Sequence, residues 1–262
     1  MTSPAASSDA TGGARTVLVT GAARRIGREI ALELARHGWR VAVHYRSDEA
    51  QAMETAGACA QLAQDSAIFH AELGDEAQAR ALVPAVIARF GRLDALVNSA
   101  STFQLDDAQD FAFASLDRHM HANVGAPVLL SQGLHQHLEQ AGRTGCVVNL
   151  LDQKLWNVNP DFLSYSLSKA ALQMATAMLA QRFAPRLRVA AVAPGLTYPS
   201  YLQSEADFAR TARLSLLGHT SSAKDVASAV RFLIETPSMT GSTMLVDAGQ
   251  HLTPLGRDVS FL

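Results

Sequence analysis

Tyr165 and Lys169 stand four residues apart in the run Ser164-Tyr165-Ser166-Leu167-Ser168-Lys169. On a helix that spacing puts a phenol and an ammonium on one face. A free phenol, with a pKa of about 10, is a weak acid near neutrality. A neighbouring positive charge stabilises the phenolate and lowers that value, which suits the pair to proton transfer. Pairs of this kind are frequent by chance, so the groups around them must decide.

A second candidate lies near the start of the chain. Thr20-Gly21-Ala22-Ala23-Arg24-Arg25-Ile26-Gly27 follows a β-branched run, TVLV, and opens a helical pattern. Gly21 permits a tight turn and Gly27 a close approach of helix to strand. The helix N-terminus then offers free amides to a pyrophosphate. About 20 residues on, an NAD site places an acid on the ribose hydroxyls. This chain instead reads His44-Tyr45-Arg46-Ser47, and Asp48 and Glu49 fit the first turn of the next helix. Arg46, helped by Ser47 and Arg24, suits a 2′-phosphate, so the cofactor implied is NADPH/NADP rather than NAD.

The elements that must carry these groups alternate. Strands are predicted at Thr16 to Thr20, Arg40 to Tyr45, Ala67 to His70, Leu93 to Asn98, Gly145 to Leu150, Leu187 to Ala193 and Ser242 to Val246. Helices are predicted from Ile26 to Gly38, Ser47 to about Gln64, Glu76 to Arg89, through Ser115 to Ala141, Phe162 to Phe183, and Ala223 to Glu235. Continuous apolar strands between amphipathic helices give an α/β fold: a doubly wound, seven-stranded parallel sheet of Rossmann type. Pro194 to Arg213 has no clear element and follows a strand that ends at the ligand crevice.

Composition narrows the classes. The chain has 262 residues, 48% hydrophobic and 18% charged, with a formal net charge of −2. It can bury a sizeable core, and no long basic run points to a nucleic acid. Cys59 and Cys146 have no CxxC spacing, and His119/His121 and His135/His137 diverge on a helix, so no metal site is expected. Residues 1–14 are small and polar, with no secretory h-region, and read as a flexible tail before a single NADP-binding domain over 15–262. No run of about 18 apolar residues implies a membrane span, and the expected location is cytoplasmic.

Taken together, the chain resembles the short-chain dehydrogenase/reductase family from Arg15 to Gln250. The family's glycine motif matches Thr20 to Gly27, and its strand-four Asn-Asn-Ala-Gly motif matches Asn98-Ser99-Ala100-Ser101, with departures at Ser99 and Ser101. Its active-site asparagine matches Asn123, and its tyrosine and lysine match Tyr165 and Lys169. The resemblance implies that Lys169 holds the nicotinamide ribose and lowers the Tyr165 pKa, with Asn123 supporting Lys169 through water. It places Pro194-Gly195, Leu196 and Thr197 against the nicotinamide carboxamide, and Glu72 and Leu73 against adenine.

One departure is informative. Where the family carries a catalytic serine about a dozen residues before the tyrosine, this chain has Asp152. That substitution, with Arg25, the His-Tyr-Arg-Ser run and Ser101-Thr102-Phe103, resembles the pteridine reductase branch, which includes dihydromonapterin reductases. The branch implies that Phe103 sandwiches a pterin against the nicotinamide and that Asp152 works with Tyr165 in proton delivery. Arg25, Ser101, Phe103, Asp152, Tyr165 and Trp156 are then the substrate residues, although Trp156 fits equally over the loop before Pro160. Physically, a carboxylate repels a developing alkoxide but accepts from the amino group and ring N–H groups of a pterin. Buried, it could instead deliver a proton.

The expectation is an NADPH-dependent reductase of a C=N bond in a pterin or folate-like substrate such as dihydromonapterin, dihydrobiopterin or dihydrofolate. The alternatives are a general short-chain carbonyl reductase and a non-catalytic NADP-binding sensor, the latter disfavoured by intact Asn123, Tyr165 and Lys169. The resemblance also implies a homotetramer, which the apolar Met174, Met178 and Leu179 beyond Lys169 would serve. The apolar end of the chain, His251 to Leu262, is expected to dock on a neighbouring subunit and close part of its substrate pocket.

Overall fold

The computed structural model describes residues 13–63 and 65–262. The tail expected over 1–14 lies, up to residue 12, outside the described residues.

Seven strands form one sheet: β1 (Thr16–Val19), β2 (Arg40–Tyr45), β3 (Ser66–His70), β4 (Ala95–Asn98), β5 (Gly145–Leu150), β6 (Leu187–Pro194) and β7 (Thr243–Val246). Their order is β3-β2-β1-β4-β5-β6-β7, and every pair is parallel. Strand order reverses between β1 and β4, which leaves a crevice at their carboxyl ends.

The short apolar runs are strands because both of their faces are buried. On one face Val17, Val19, Val41, Val43, Val97 and Val148 pack beneath α1 (Arg25–Arg36), α2 (Glu49–Leu62) and α8 (Ala223–Glu235). On the other, Leu18, Ala42, Leu96, Val147 and Val189 meet α3 (Glu76–Phe90) and α5 (Ala126–Gln140). The alternation follows the two-residue period of a strand. Asp48 caps α2, accepting from the Gln51 amide at 3.0 Å, as its position before Glu49 predicts.

Two stretches differ from the sequence reading. The helix expected through Ser115 to Ala141 is α4 (Phe113–Met120) and α5 joined by a π-helical turn at His121–Gly125. The turn adds a residue without disturbing the apolar spacing on either side. Within the unassigned Pro194 to Arg213 stretch, α7 (Glu205–Thr211) forms behind Ser204, whose hydroxyl accepts from the Asp207 amide.

The chain end corrects an expectation. It docks on its own subunit. Asn157, ahead of α6 (Leu163–Phe183), donates to the carbonyls of Gln250 and Thr253. Arg257 pairs with Asp161, Asp258 with Lys154, and the Phe261 ring lies 6.2 Å from Phe162. Gln203 donates to the Val259 carbonyl, and Arg210 to that of Leu262. The backbone and charged groups of the chain end are thus held by a loop and a flap of the same molecule, while Leu252, Phe261 and Leu262 stay exposed. Leu179 packs against the core, whereas Met174 and Met178 are exposed.

Leu96 sits fully buried at the centre of β4. Leu96→Ala is expected to lower the unfolding free energy by about 2–5 kcal/mol, read from the midpoint of urea denaturation at an unchanged slope.

Candidate active site

The turn after β1 is held from three directions. Gly21 has φ +64°, and a Cβ there would lie 2.9 Å from the Ala100 Cα. A Cβ on Gly27 would lie 2.3 Å from the Gly21 carbonyl oxygen. Both positions therefore need glycine. The Thr20 hydroxyl accepts from the Ser99 and Ala100 amides, tying the turn to the end of β4. His44 accepts from the Gly21 amide at Nδ1, 3.0 Å, so its proton is on Nε2, which donates to the Ala71 carbonyl at 3.1 Å. Burial pushes this imidazole down to about 4, and it stays neutral.

The turn opens on a cleft of about 340 Å³. Of the residues assigned to the cofactor from sequence, Gly21, Arg24, Arg25, Ile26, Gly27, Tyr45, Arg46, Ser47, Glu72, Leu73, Ser99 and Ala100 line it. Ser101 lines it too, while Asn98 lies beneath, bonded to Asn149. Among the described residues, α1 has neither a side-chain cap at Arg24 nor an acid in its first turn. Its N-terminal amides face the cleft without a competing carboxylate, which is the donor set a pyrophosphate needs. Arg46 stands exposed at the mouth with its Nε 4.0 Å from Glu72, beside Ser47 and Arg24. The space and the charges fit a dinucleotide with a 2′-phosphate.

Arg25 takes a left-handed conformation, φ +54°, unusual for a residue with a side chain. Its guanidinium lies 5.3 Å from the Tyr198 ring and donates to the Pro199 carbonyl at 3.0 Å. It therefore fastens the glycine turn to the flap that follows β6. Burial, with Arg24 alongside, holds its pKa below the usual value.

The chemistry gathers at the carboxyl end of β5, beside the lined cleft. Asp152 follows β5 directly. One carboxylate oxygen accepts from the Lys154 amide at 2.8 Å and the other from the Tyr165 hydroxyl at 2.6 Å. Burial raises the Asp152 pKa. Burial, and then the Asp152 carboxylate, push the Tyr165 phenol well above its ordinary value. The expectation that Lys169 lowers that value does not hold here. Its ammonium is 5.6 Å from the Tyr165 ring centroid and donates to the Leu150 carbonyl at 2.7 Å. Burial brings Lys169 itself down to about 8. The phenol is thus a held proton donor to a carboxyl group.

Asn123 occupies the π turn. Its side-chain amide donates to the Thr102 carbonyl and Ser168 hydroxyl, and its oxygen accepts from the Thr102 amide and Ser101 hydroxyl. All four valences are used. The side chain therefore splices the loop after β4 to α6. Asp106 completes the splice, accepting from the Ser164 amide at 3.0 Å at the uncapped start of α6.

Phe103 packs its face on Phe162, centroids 4.2 Å apart at 17°, and meets Tyr165 edge-on at 4.7 Å. It is next to the phenol. Gly195 is packed against Asp247, Leu196 donates its amide to Gln250, and the Thr197 hydroxyl donates to the Gly195 carbonyl, so the turn after Pro194 is rigid. Of the residues expected to meet substrate, Arg25 and Ser101 line the cleft, whereas Phe103, Asp152, Tyr165 and Trp156, the last 38% exposed, do not. Sequence reasoning missed His44 as a brace, Tyr198 and the pair Lys154–Asp258. Only the inward position of His44 on a buried strand could have signalled the first.

A cleft for a dinucleotide beside an Asp-Tyr-Lys group, with Tyr165 and Lys169 buried, defines an oxidoreductase class, and similarity to known proteins specifies it. The family model described as enoyl-(acyl carrier protein) reductase matches residues 21–251. The chain belongs to the short-chain dehydrogenase/reductase family of NAD(P)-dependent oxidoreductases. A crystal structure of FolM alternative dihydrofolate reductase 1 from Brucella canis, complexed with NADP, is 38% identical with a TM-score of 0.85, covering 91% of this chain and 94% of that one. The chain is 30% identical to 3beta-hydroxysteroid dehydrogenase 1 of Eggerthella lenta, over 92% of this chain and 95% of the relative. It is 30% identical to the 3-oxoacyl-[acyl-carrier-protein] reductase FabG of Staphylococcus aureus, over 91% and 98%.

Two outcomes follow. Arg46→Ala is expected to weaken NADPH binding about tenfold or more while leaving NADH within about twofold, measured by fluorescence titration. His44 has a lower pKa folded than unfolded, about 4 against 6.5, so the unfolded chain takes up its proton first as pH falls. Its stabilisation is complete above about pH 6.5 and is lost on the way down to about pH 4, by roughly 3 kcal/mol. His44→Gln, which keeps an acceptor and a donor, should remove that part of the slope in denaturation midpoints compared at pH 7.5 and 5.

Proposed function

We propose that the protein is an NADPH-dependent reductase of the C=N bond of a pterin or dihydrofolate-like substrate, acting as a homotetramer through the face that exposes Met174 and Met178. The observation that carries this reading is the 2.6 Å hydrogen bond from Tyr165 to the part-buried Asp152, at a position where a carbonyl reductase needs a neutral hydroxyl. A neutral donor there would stabilise an alkoxide; an acid at that place protonates a ring nitrogen or accepts from a pterin's N–H groups. The likeness to FolM alternative dihydrofolate reductase 1 supports it independently.

The residues divide the work as follows. The glycine turn, the α1 amides, Arg46 and Ser47 bind the cofactor, and Lys169 holds the nicotinamide ribose. Bound NADPH supplies the hydride. Phe103 offers a ring face beside Tyr165 for a planar substrate. Tyr165 would pass its hydroxyl proton to the nitrogen of the C=N bond and recover one through Asp152, whose pKa burial raises. The second reading, a carbonyl reductase, is favoured by the hydroxysteroid dehydrogenase and FabG similarity.

A panel of dihydropterins, dihydrofolate and simple ketones, followed by NADPH oxidation, separates the two. Turnover of the pterins with ketones near background is the expected result; the reverse would replace the pterin assignment with the carbonyl one. Asp152→Asn and Asp152→Ser should each lower pterin kcat/KM by about 10²-fold or more, and unchanged turnover in both would leave Asp152 a structural residue.

A further inference from the structure

Lys154 is a buried cation that the mechanism above does not use. Its side chain is 4% exposed. Its ammonium donates to Asp258 at 2.8 Å and to Asn159, and lies 5.5 Å from the Phe162 ring. Its own amide is the group that fixes Asp152. Asp258, brought from 104 residues away, is seated as firmly. Its second oxygen accepts from the Ser260 amide, and its own amide donates to Asp161, which is neutralised by Arg257.

We propose that the ion pair between Lys154 and Asp258 sets the protonation of the Asp152–Tyr165 pair, so that the C-terminal segment is a positioning element of the active site in its own subunit. The proposal rests on the reading of Asp152 and Tyr165 as the proton-donating pair. Its basis is that charges in a part-buried site act on each other with less screening than in open water. Their opposite charges, 2.8 Å apart, offset each other in part, and they act on opposite members of the pair: the ammonium favours the Asp152 carboxylate, and the Asp258 charge disfavours the Tyr165 phenolate.

The other groups facing the pair do not substitute for it. Lys169, from α6, favours the Asp152 carboxylate. His119, from α4, approaches Tyr165 edge-on at 6.5 Å and is bonded to the Ser115 carbonyl and the Gln104 amide. Asp161 and Arg257 neutralise each other. Lys154 and Asp258 are therefore the pair through which the chain end reaches the proton donors, and the Phe261–Phe162–Phe103 ring contacts run parallel to it.

The test is a carboxyl-carbon NMR titration of aspartate-labelled, full-length protein saturated with NADP, the Asp152 resonance being assigned by its loss in Asp152→Asn. Asp258→Asn leaves an uncancelled ammonium and should lower the Asp152 midpoint by about one pH unit. Lys154→Met leaves an uncancelled carboxylate and should raise it by a similar amount. The double variant, and the charge-keeping Lys154→Arg, should stay within about 0.3 unit of the parent. With a turned-over substrate, the alkaline limb of kcat should move in the same directions. Midpoints that do not move, that move the same way in both single variants, or that move as far in Lys154→Arg as in Lys154→Met, overturn the proposal. A shifted titration without pterin turnover supports it and removes only the substrate assignment.

Discussion

A carboxyl group and a phenol share one short hydrogen bond in a part-buried place at the carboxyl end of the sheet. Asp152 and Tyr165 can hold 2.6 Å only if neither backbone drifts. A buried polar pair left imperfectly matched costs about as much as a lost core contact. Much of the architecture meets that condition. The end of β5 delivers Asp152, the Lys154 amide fixes one of its oxygens, and α6 delivers Tyr165 from a start capped by Asp106. Asn123 then locks the loop carrying Phe103 to the same helix. Both ends of the hydrogen bond are anchored to the sheet, which is why a parallel sheet with its carboxyl ends aligned is a suitable frame for this chemistry.

The fold was legible because its strands are buried on both faces and its helices are not. TVLV, ALVN and GCVVNL are unbroken apolar runs, and helices with turn residues separate them. The cofactor cleft was legible for a related reason: glycines at Gly21 and Gly27, and the absence of an acid after β2, are local facts. What the sequence could not show is long-range. The chain end reads as apolar and unpartnered, yet its partners are Asn157, Asp161, Phe162 and Gln203, more than fifty residues away. The Tyr165 shift was misjudged because spacing reveals the lysine four residues on but not the depth at which both are buried. The π turn was invisible because one added residue leaves an apolar pattern readable on either side.

The two ends of the cleft are built differently. The cofactor end rests on strand termini braced by His44 across Gly21 and Ala71. The end beside Asp152 and Tyr165 is assembled from the loop after β5, the flap after β6 and the chain end. Proteins similar to this chain carry names as different as hydroxysteroid dehydrogenase, 3-oxoacyl-[acyl-carrier-protein] reductase and alternative dihydrofolate reductase. A shared scaffold with separately built substrate ends accommodates that range, and activity has to be argued from the residues at that end.

The π turn at His121–Gly125 also governs where this chain tolerates a change of length. Each residue of a helix advances the side chains by about 100°. Upstream, α4 must keep His119 turned toward Tyr165; downstream, α5 must keep Leu130, Leu134 and Leu138 in the core. Deleting one residue between them would regularise the helix and rotate one set away from its partners. Asn123 would leave Thr102 and Ser168 in the same step. A single-residue deletion here is therefore more damaging than the loss of several residues from an exposed loop.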